Sequence, residues 1–195
     1  MQQIQSICVY CGSHPGHRAE YREATESLAR RLVADGIGIV YGGGDVGLMG
    51  ALADAALEAG GHVTGVIPES LIEREVAHGS LTELHVVRSM HERKALMAEL
   101  SDAFVALPGG LGTLEEIVEI GTWAQLGFHR KPCGILNVLG YYDHLATFLD
   151  RMVTEGFLES RHRSLLTVSD DPKELMERMQ TYEPPVQRRW PLEEL

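Results

Sequence analysis

Residues 107–116 read LPGGLGTLEE, and this stretch decides the fold. The apolar run Ala103–Leu107 leads into it and predicts a buried strand, whereas the pattern after it predicts a helix that ends near Leu126. A strand, a glycine-rich turn and a helix can hold a phosphate, because bare backbone N–H groups and about half a positive charge meet the anion at the helix start. Two carboxylates follow at once, which favours an enzyme acting on a phosphorylated sugar or nucleotide.

The same turn supplies the first candidate ligands of the phosphate. Gly109, Gly110 and Gly112 are expected to turn the backbone tightly and bring their N–H groups to the anion, and Thr113 to add a hydroxyl. An alternative stays open, in which Thr113 and Glu116 form a capping box that only satisfies the amides at the helix start.

Length, composition and charge limit the class of protein. A chain of 195 residues with 44% hydrophobic content predicts one domain, over residues 1–182, followed by an irregular tail over residues 183–195. The formal charge of −11 argues against nucleic acid as a partner, because binding to a phosphate backbone needs an excess of Lys and Arg. With no apolar run of the ~20 residues that span a bilayer, and no leader pattern, we expect a soluble cytoplasmic protein that binds no membrane.

The cysteines and histidines do not predict a metal site. Cys8 and Cys11 are three residues apart in or at the end of the first predicted strand, so their side chains should point to opposite faces. Neither a disulfide nor a shared metal ion is therefore expected between them. The nine histidines show no ligand spacing typical of a metal centre, and we predict no metal and no cofactor.

Strands and helices alternate along the chain, which predicts an α/β fold: a Rossmann-like doubly wound parallel sheet of about seven strands with helices on both faces. The predicted strands are 4–10, 37–41, 62–67, 84–88, 103–107, 133–138 and 165–168. The predicted helices are 18–34, 48–59, 91–100, the helix ending near 126, 142–155 and 172–182. The connection over residues 68–80 is long for a compact domain, and long loops of this kind are often functional.

A Rossmann-like strand order would make strands one and four neighbours, with a ligand crevice at their carboxyl ends. The loops that follow the predicted strands then meet at this crevice. They bring Ser13, the pair Gly43 and Gly44, and the pair Arg93 and Lys94 to the same place as the glycine turn, as candidate substrate-binding residues.

A second glycine motif leaves an alternative open. Gly42-x-Gly44-x-x-Gly47 matches the dinucleotide fingerprint, and Glu69 follows at the distance of a ribose-binding acid. The match is weak, because the fingerprint usually follows the first strand of its unit and here follows the second. A loop that closely approaches a nucleotide or sugar is favoured over NAD binding.

Arg93 lies where a cation is unexpected. Ser89-x-x-Glu92 predicts a capping box, which places Arg93 in the first turns of a helix and in line with Met97 and Leu100 on its apolar stripe. Arg93 either snorkels along the core to water or reaches into the crevice for a phosphate or carboxylate. Lys94 points about 100° round the helix and should be more easily solvated.

Glu116 poses the same question on the next helix. It shares a stripe with Ile120 and Trp123, whereas Glu115 lines up with Thr122 on another face. A carboxylate on an apolar stripe at a helix N-terminus should be partly desolvated, which raises its pKa, whereas the helix amides and any nearby arginine lower it.

Three motifs in the same order resemble the LONELY GUY family of cytokinin riboside 5′-monophosphate phosphoribohydrolases. They are YGGGxxGLMG over residues 41–50, MHxRK over residues 90–94 and PGGxGTxxE over residues 108–116. The resemblance implies hydrolysis of the N-glycosidic bond of adenosine 5′-monophosphate (AMP), often N6-prenylated, to the free base and ribose 5-phosphate. It also implies a homodimer.

The resemblance further implies roles for single residues. Arg93 and Glu116 match the catalytic pair, and the positions that match substrate contacts are Glu75, Lys94, Gly109, Gly110, Leu111, Gly112, Thr113, Leu114, Glu115 and Thr122. His14, Leu111 and Gly121 depart from the usual residues, which leaves the preference for the base open. Such sequences have also been labelled lysine decarboxylases, but no lysine here has the setting of a cofactor Schiff base. Two other classes stay open: a sensor that binds AMP without turnover, and a dinucleotide-dependent oxidoreductase.

Overall fold

The computed structural model describes residues 4–72 and 77–185. The described part contains seven strands: β1 Ser6–Tyr10, β2 Gly38–Tyr41, β3 Val63–Pro68, β4 Glu83–Val87, β5 Ala103–Ala106, β6 Cys133–Leu136 and β7 Leu166–Ser169. The helices are α1 Ala19–Ala34, α2 Gly47–Glu58, α3 Met90–Glu99, α4 Leu111–Leu126, α5 Asp143–Thr154, α6 Ser160–Arg163 and α7 Pro172–Gln180. Short 3-10 turns occupy Glu69–Leu71 and Val138–Gly140.

The strands form one parallel sheet, which confirms the predicted α/β class. Its order is β4-β3-β2-β1-β5-β6-β7, and each neighbouring pair runs parallel. The predicted helices and strands are found with ends shifted by a few residues. The sequence did not predict α6, whose four residues are too short to show a periodic pattern. The described helices include none that is both long and apolar enough to cross a bilayer.

The expected pairing of the first and fourth strands is wrong. β1 lies between β2 and β5, whereas β4 pairs only with β3 at the edge of the sheet. The chain adds β2, β3 and β4 outward on one side and then returns through α3 to place β5 against the other side of β1. The strand order therefore reverses between β1 and β5, and a ligand crevice is expected at the carboxyl ends of these two strands.

Two apolar layers cover the sheet. Residues of α1, α2 and α7 pack on one face, around Leu28, Leu52 and Leu175. Residues of α3 and α4 pack on the other face, around Met97 and Ile117. These layers hold the ends of β1 and β5 rigidly and thereby fix the loops that leave them.

The three cysteines are buried thiols. Cys8 belongs to the layer under α3 and α4, and Cys11 to the layer under α1 and α2, which confirms that they face opposite sides. Burial raises the pKa of both thiols well above the ordinary value, and it raises the pKa of Cys133 to about 12.

The domain boundary stays a prediction. Residues 183–185 have no regular secondary structure, and residues 186–195 of the proposed tail lie outside the described part. Glu75, a predicted substrate contact, also lies outside the described residues, in the gap at 73–76.

Candidate active site

Three loops meet at the point where the strand order reverses. The N–H of Gly12 donates to the carbonyl of Pro108 at 3.1 Å, and the N–H of Leu48 donates to the carbonyl of Gly12 at 3.0 Å. These bonds tie the loop after β1 to the turn before α4 and to the start of α2. They border a crevice of about 250 Å³ that is lined by Gly12, Ser13, His14, Pro15, Gly16, Tyr21, Leu48, Pro108, Gly109, Gly110 and Tyr141.

The glycines of the turn serve two different purposes. A Cβ on Gly109 would lie 2.1 Å from Thr113 Oγ1 and 2.9 Å from the nitrogen of Gly12, so only glycine fits there. A Cβ on Gly110 or Gly112 would meet nothing within 4 Å. None of the three has a positive φ, so the turn does not use a left-handed backbone conformation at these positions. Gly109 permits close packing, while the other two leave the helix amides open to a ligand.

The capping-box alternative for Thr113 and Glu116 is wrong. α4 begins at Leu111 with Gly110 at the N-cap position, so Thr113 is already inside the first turn. Its side chain is buried against Gly109. Glycine at the N-cap has no side chain that could cap the first amides of α4, and these amides therefore remain suited to an external anion.

Two tyrosines that the sequence analysis missed brace the turn. Tyr141 donates from its hydroxyl to the carbonyl of Gly109 at 2.6 Å, and Tyr142 donates to the carbonyl of Leu107 at 2.7 Å. Burial raises the pKa of Tyr142 well above its ordinary value. The available signal was their position after β6, at the same edge of the sheet as the glycine turn.

Arg93 is buried at the start of α3. Ser89 caps this helix by accepting the N–H of Glu92 at 3.2 Å. Arg93 is only 4% exposed, and its Nη2 donates to the carbonyl of Gly42 at 3.0 Å. The snorkelling alternative is therefore wrong. A Cβ on Gly42 would lie 2.0 Å from Nη2, so the glycine is required by the guanidinium.

The charges of Arg93 and Glu116 act on the same thiols. After burial, the carboxylate of Glu116 raises the pKa of Cys11 and the guanidinium of Arg93 lowers it, and both groups also act on Cys8. Glu116 is half-buried, as the stripe on α4 predicted. A carboxylate from α4 and a guanidinium from α3 thus both exert their charge on the end of β1, although neither is among the residues that line the crevice.

Lys94 is not solvated, contrary to the prediction. Its side chain is 10% exposed, and its ammonium lies 2.5 Å from Glu115 Oε1 and 3.0 Å from Glu119 Oε2. Burial lowers the pKa of Lys94, but the hydrogen bonds to the two carboxylates outweigh it, and the pKa lies above its ordinary value. The prediction failed because Glu115 and Glu119 of α4 lie against α3. Which helices are neighbours depends on the strand order and not on the helical pattern of either helix.

The remaining predicted contacts on α4 lie on its outer face. Leu111, Leu114, Glu115 and Thr122 line an apolar groove of about 720 Å³ between α4 and α5, with Phe148 and Phe157 opposite. Thr122 donates to the carbonyl of its own helix at Val118, 2.8 Å away. Of the predicted substrate residues, Ser13, Gly109 and Gly110 line the crevice, whereas Leu111, Leu114, Glu115 and Thr122 line this groove.

The loop after β2 is used for internal packing. Gly43 has a φ of +77°, and Gly44 pairs with Ala77 in an antiparallel bridge. A Cβ on Gly47 would lie 2.4 Å from the carbonyl carbon of Ser13. Close packing thus accounts for Gly42 and Gly47 of the supposed dinucleotide fingerprint. Ser13 itself lines the crevice, and its hydroxyl oxygen Oγ lies 3.4 Å from the ring nitrogen Nδ1 of His14.

Among the residues described, Asp45, Asp54 and His78 form a group whose potential metal ligands lie within 4.8 Å of one another. His78 Nε2 is 3.1 Å from Asp54 Oδ1, and Nδ1 accepts the N–H of Ser80 at 3.3 Å. Both ring nitrogens thus have protein partners, which favours a hydrogen-bonded network over a metal site. Sequence spacing gave no sign of this group, because its members come from two loops and a helix.

Comparison with known proteins identifies relatives over most of the chain. A family model described as "Possible lysine decarboxylase" matches residues 49–179. A probable cytokinin riboside 5′-monophosphate phosphoribohydrolase of Oryza sativa subsp. japonica is 51% identical over 93% of this chain and 80% of its own length. A cytokinin riboside 5′-monophosphate phosphoribohydrolase of Arabidopsis thaliana is 50% identical over 93% of this chain and 84% of its own length.

Solved structures share the fold. The molybdenum cofactor carrier protein of Chlamydomonas reinhardtii superposes with a TM-score of 0.67 at 18% identity, covering 91% of this chain and 97% of that one. The molybdenum cofactor binding protein of Rippkaea orientalis gives 0.68 at 18% identity, covering 93% and 98%. At such identities the likeness concerns the fold alone.

The two kinds of glycine in the turn can be told apart by stability. We expect Gly109→Ala to lower the free energy of unfolding by about 1–3 kcal/mol, because its methyl group would overlap Thr113. Gly112→Ala is the matched control and should not lower the free energy of unfolding, since its methyl group enters open space and alanine is the better helix former. Urea denaturation measures both values, and equal losses in the two variants would contradict this account of the turn.

Proposed function

The chain belongs to the LONELY GUY family of cytokinin riboside 5′-monophosphate phosphoribohydrolases, and we propose that it hydrolyses the N-glycosidic bond of AMP or N6-prenylated AMP. The products are the free base and ribose 5-phosphate. The observation that carries this proposal is that the charges of Glu116 and Arg93 both act on Cys11 at the end of β1, where the turn with the open amides of α4 is also anchored. The sequence identity of 51% and 50% to two proteins named as phosphoribohydrolases supports it.

The chemistry follows from the charges that act at the end of β1. Cleavage of a ribosyl–adenine bond builds positive charge on the sugar and negative charge on the departing base. The carboxylate of Glu116 would stabilise the sugar cation or orient the attacking water. The amides at Gly110–Thr113 would hold the 5′-phosphate, and Arg93 would bind the substrate or stabilise the developing negative charge.

Lys94 and Glu115 are proposed substrate contacts that already pair with each other. The ammonium of Lys94 has three N–H donors, and two of them bind the carboxylates of Glu115 and Glu119. A substrate oxygen would use the third donor without breaking the pair. We also propose substrate contacts for Glu75, by family resemblance, and for Ser13, which lines the crevice.

The name lysine decarboxylase finds no support in the three lysines of the chain. A Schiff-base lysine needs a lowered pKa, so that the amine is neutral and nucleophilic. The pKa of Lys94 is raised instead. Lys131 donates to the carbonyl of Ala98 at 2.8 Å, and Lys173 lies on the surface near Glu177.

The apolar groove supports a homodimer. Leu111 is 86% exposed and Phe157 is 87% exposed, and both border the groove beside α4. Single exposed apolar residues are ordinary, but a contiguous apolar surface favours association. We propose that a second copy of this chain covers the groove, next to Leu114 and Thr122. We also propose a cytoplasmic location, which the free thiols favour because a reducing compartment preserves them.

The requirement for the 5′-phosphate tests the proposed function. We expect AMP and N6-isopentenyl-AMP to release free base and adenosine to release none, because binding energy from the phosphate can be used to orient the reacting bond. Chromatography of the reaction mixture measures the release. Binding of AMP without release would indicate a sensor, and equal turnover of adenosine would make the glycine turn purely structural.

The role of Glu116 is tested by its amide. Glu116→Gln should bind AMP but lose at least two orders of magnitude in kcat, which corresponds to about 3 kcal/mol of transition-state stabilisation. Glu99→Gln, an exposed carboxylate on α3, is the matched control and should retain full activity. Near-wild-type turnover of Glu116→Gln would exclude a catalytic role.

Association is tested by charging the groove. Light scattering should give twice the mass of one 21.5 kDa chain. Phe157→Glu should shift the protein towards monomer, because a buried unpaired carboxylate is costly. Val86→Glu places the same charge on the exposed edge strand β4 and should leave the dimer intact. A monomeric wild type with full activity would contradict the proposal.

A further inference from the structure

We propose that His78 is a positioning residue, which fixes the orientation of Arg93 through the turn Gly42–Gly44. This inference rests on the proposed function, because it assumes that Arg93 acts on the substrate. It concerns a residue that is not among those lining the crevice or the groove beside α4.

The ring of His78 is held at both nitrogens. The side chain is buried, and Nδ1 accepts the backbone N–H of Ser80 at 3.3 Å. Because a backbone amide can only donate, Nδ1 carries its lone pair, and the hydrogen of the neutral ring lies on Nε2. Nε2 then donates to Asp54 Oδ1 at 3.1 Å, with Asp45 Oδ1 at 3.6 Å. The ring thus ties its loop to α2.

The backbone next to this ring holds the glycine turn. The N–H of His78 donates to the carbonyl of Gly43 at 3.0 Å, and Ala77 pairs with Gly44 in the antiparallel bridge. Gly43 has a positive φ, a conformation that favours glycine at this position of the turn. Anchoring the ring therefore anchors the turn from one side.

The other side of the turn orients the guanidinium. The carbonyl of Gly42, one residue before Gly43, accepts Nη2 of Arg93 at 3.0 Å. The fit leaves no room for even a methyl group on Gly42. A rotation of the turn would therefore move the acceptor of a planar guanidinium, whose hydrogen bonds are directional.

An apolar side chain in the place of His78 would avoid the free-energy cost of burying a polar ring. A buried imidazole must keep its hydrogen bonds, since an unpaired polar group in the interior is destabilising. The bonds to Asp54 and Ser80 meet this requirement and also fix the ring in one direction. That directional anchoring is what a positioning role needs.

The experiment compares two substitutions of His78 with a matched control. His78→Ala removes the anchor and should lower kcat for AMP by about 10- to 100-fold, the effect of a small misplacement, with KM nearly unchanged. His78→Gln keeps an N–H that can reach Asp54 and should restore most of the activity. His62→Ala removes a half-exposed histidine near Glu83 and should leave kcat unchanged. Melting temperatures confirm that each variant is folded during the assay.

Coupling to Arg93 separates positioning from a purely structural role. If His78 acts through Arg93, then His78→Ala should have little further effect on the residual kcat of Arg93→Lys. If the double variant lost kcat by the product of the two single losses, the inference would be overturned. A His78→Ala enzyme with kcat within about twofold of the wild type would also overturn it. If the wild-type enzyme releases no base from AMP, the proposed function fails before any variant is compared.

Discussion

A buried cation organises the site of this protein. The guanidinium of Arg93 is almost wholly removed from water, and such a charge is tolerated only where polar groups compensate it. The carbonyl of Gly42 provides one such group, so the loop after β2 must approach α3 closely. Glu116 acts on the same thiols at the end of β1, which places its charge within reach of the same region. The glycine at position 42 and the course of its loop follow from this requirement.

An ion pair joins the two helices that carry the candidate catalytic groups. Lys94 is the neighbour of Arg93 on α3, and Glu115 is the neighbour of Glu116 on α4. The side chain of Lys94 is only 10% exposed to solvent, so dissolved salt screens this ion pair less than it would screen a pair on the surface. Each catalytic candidate thus lies one residue from an ion pair between its helix and the other.

Local patterns predicted much of the fold and half of the site. The alternation of strands and helices gave the α/β class, and helical periodicity placed Arg93 and Glu116 on inward stripes. Contacts between distant elements did not follow from such patterns. The position of β5 beside β1 depends on where the chain returns, and the partners of Lys94 depend on how α3 and α4 face each other. His78 was missed for the same reason, since Asp54 is 24 residues away in the chain.

The buried thiols give the folded chain a built-in reporter of its own motions. Cys8 lies in the central strand β1 and Cys11 directly after it, beneath opposite layers, and Cys133 lies in β6 on one flank. A thiol with a raised pKa and no access to solvent reacts with alkylating reagents only after the surrounding backbone opens. The labelling rate of Cys133 therefore measures opening of the β6 flank, while the rates of Cys8 and Cys11 measure opening of each layer over the centre. Differences among the three rates would map which part of the sheet loosens first.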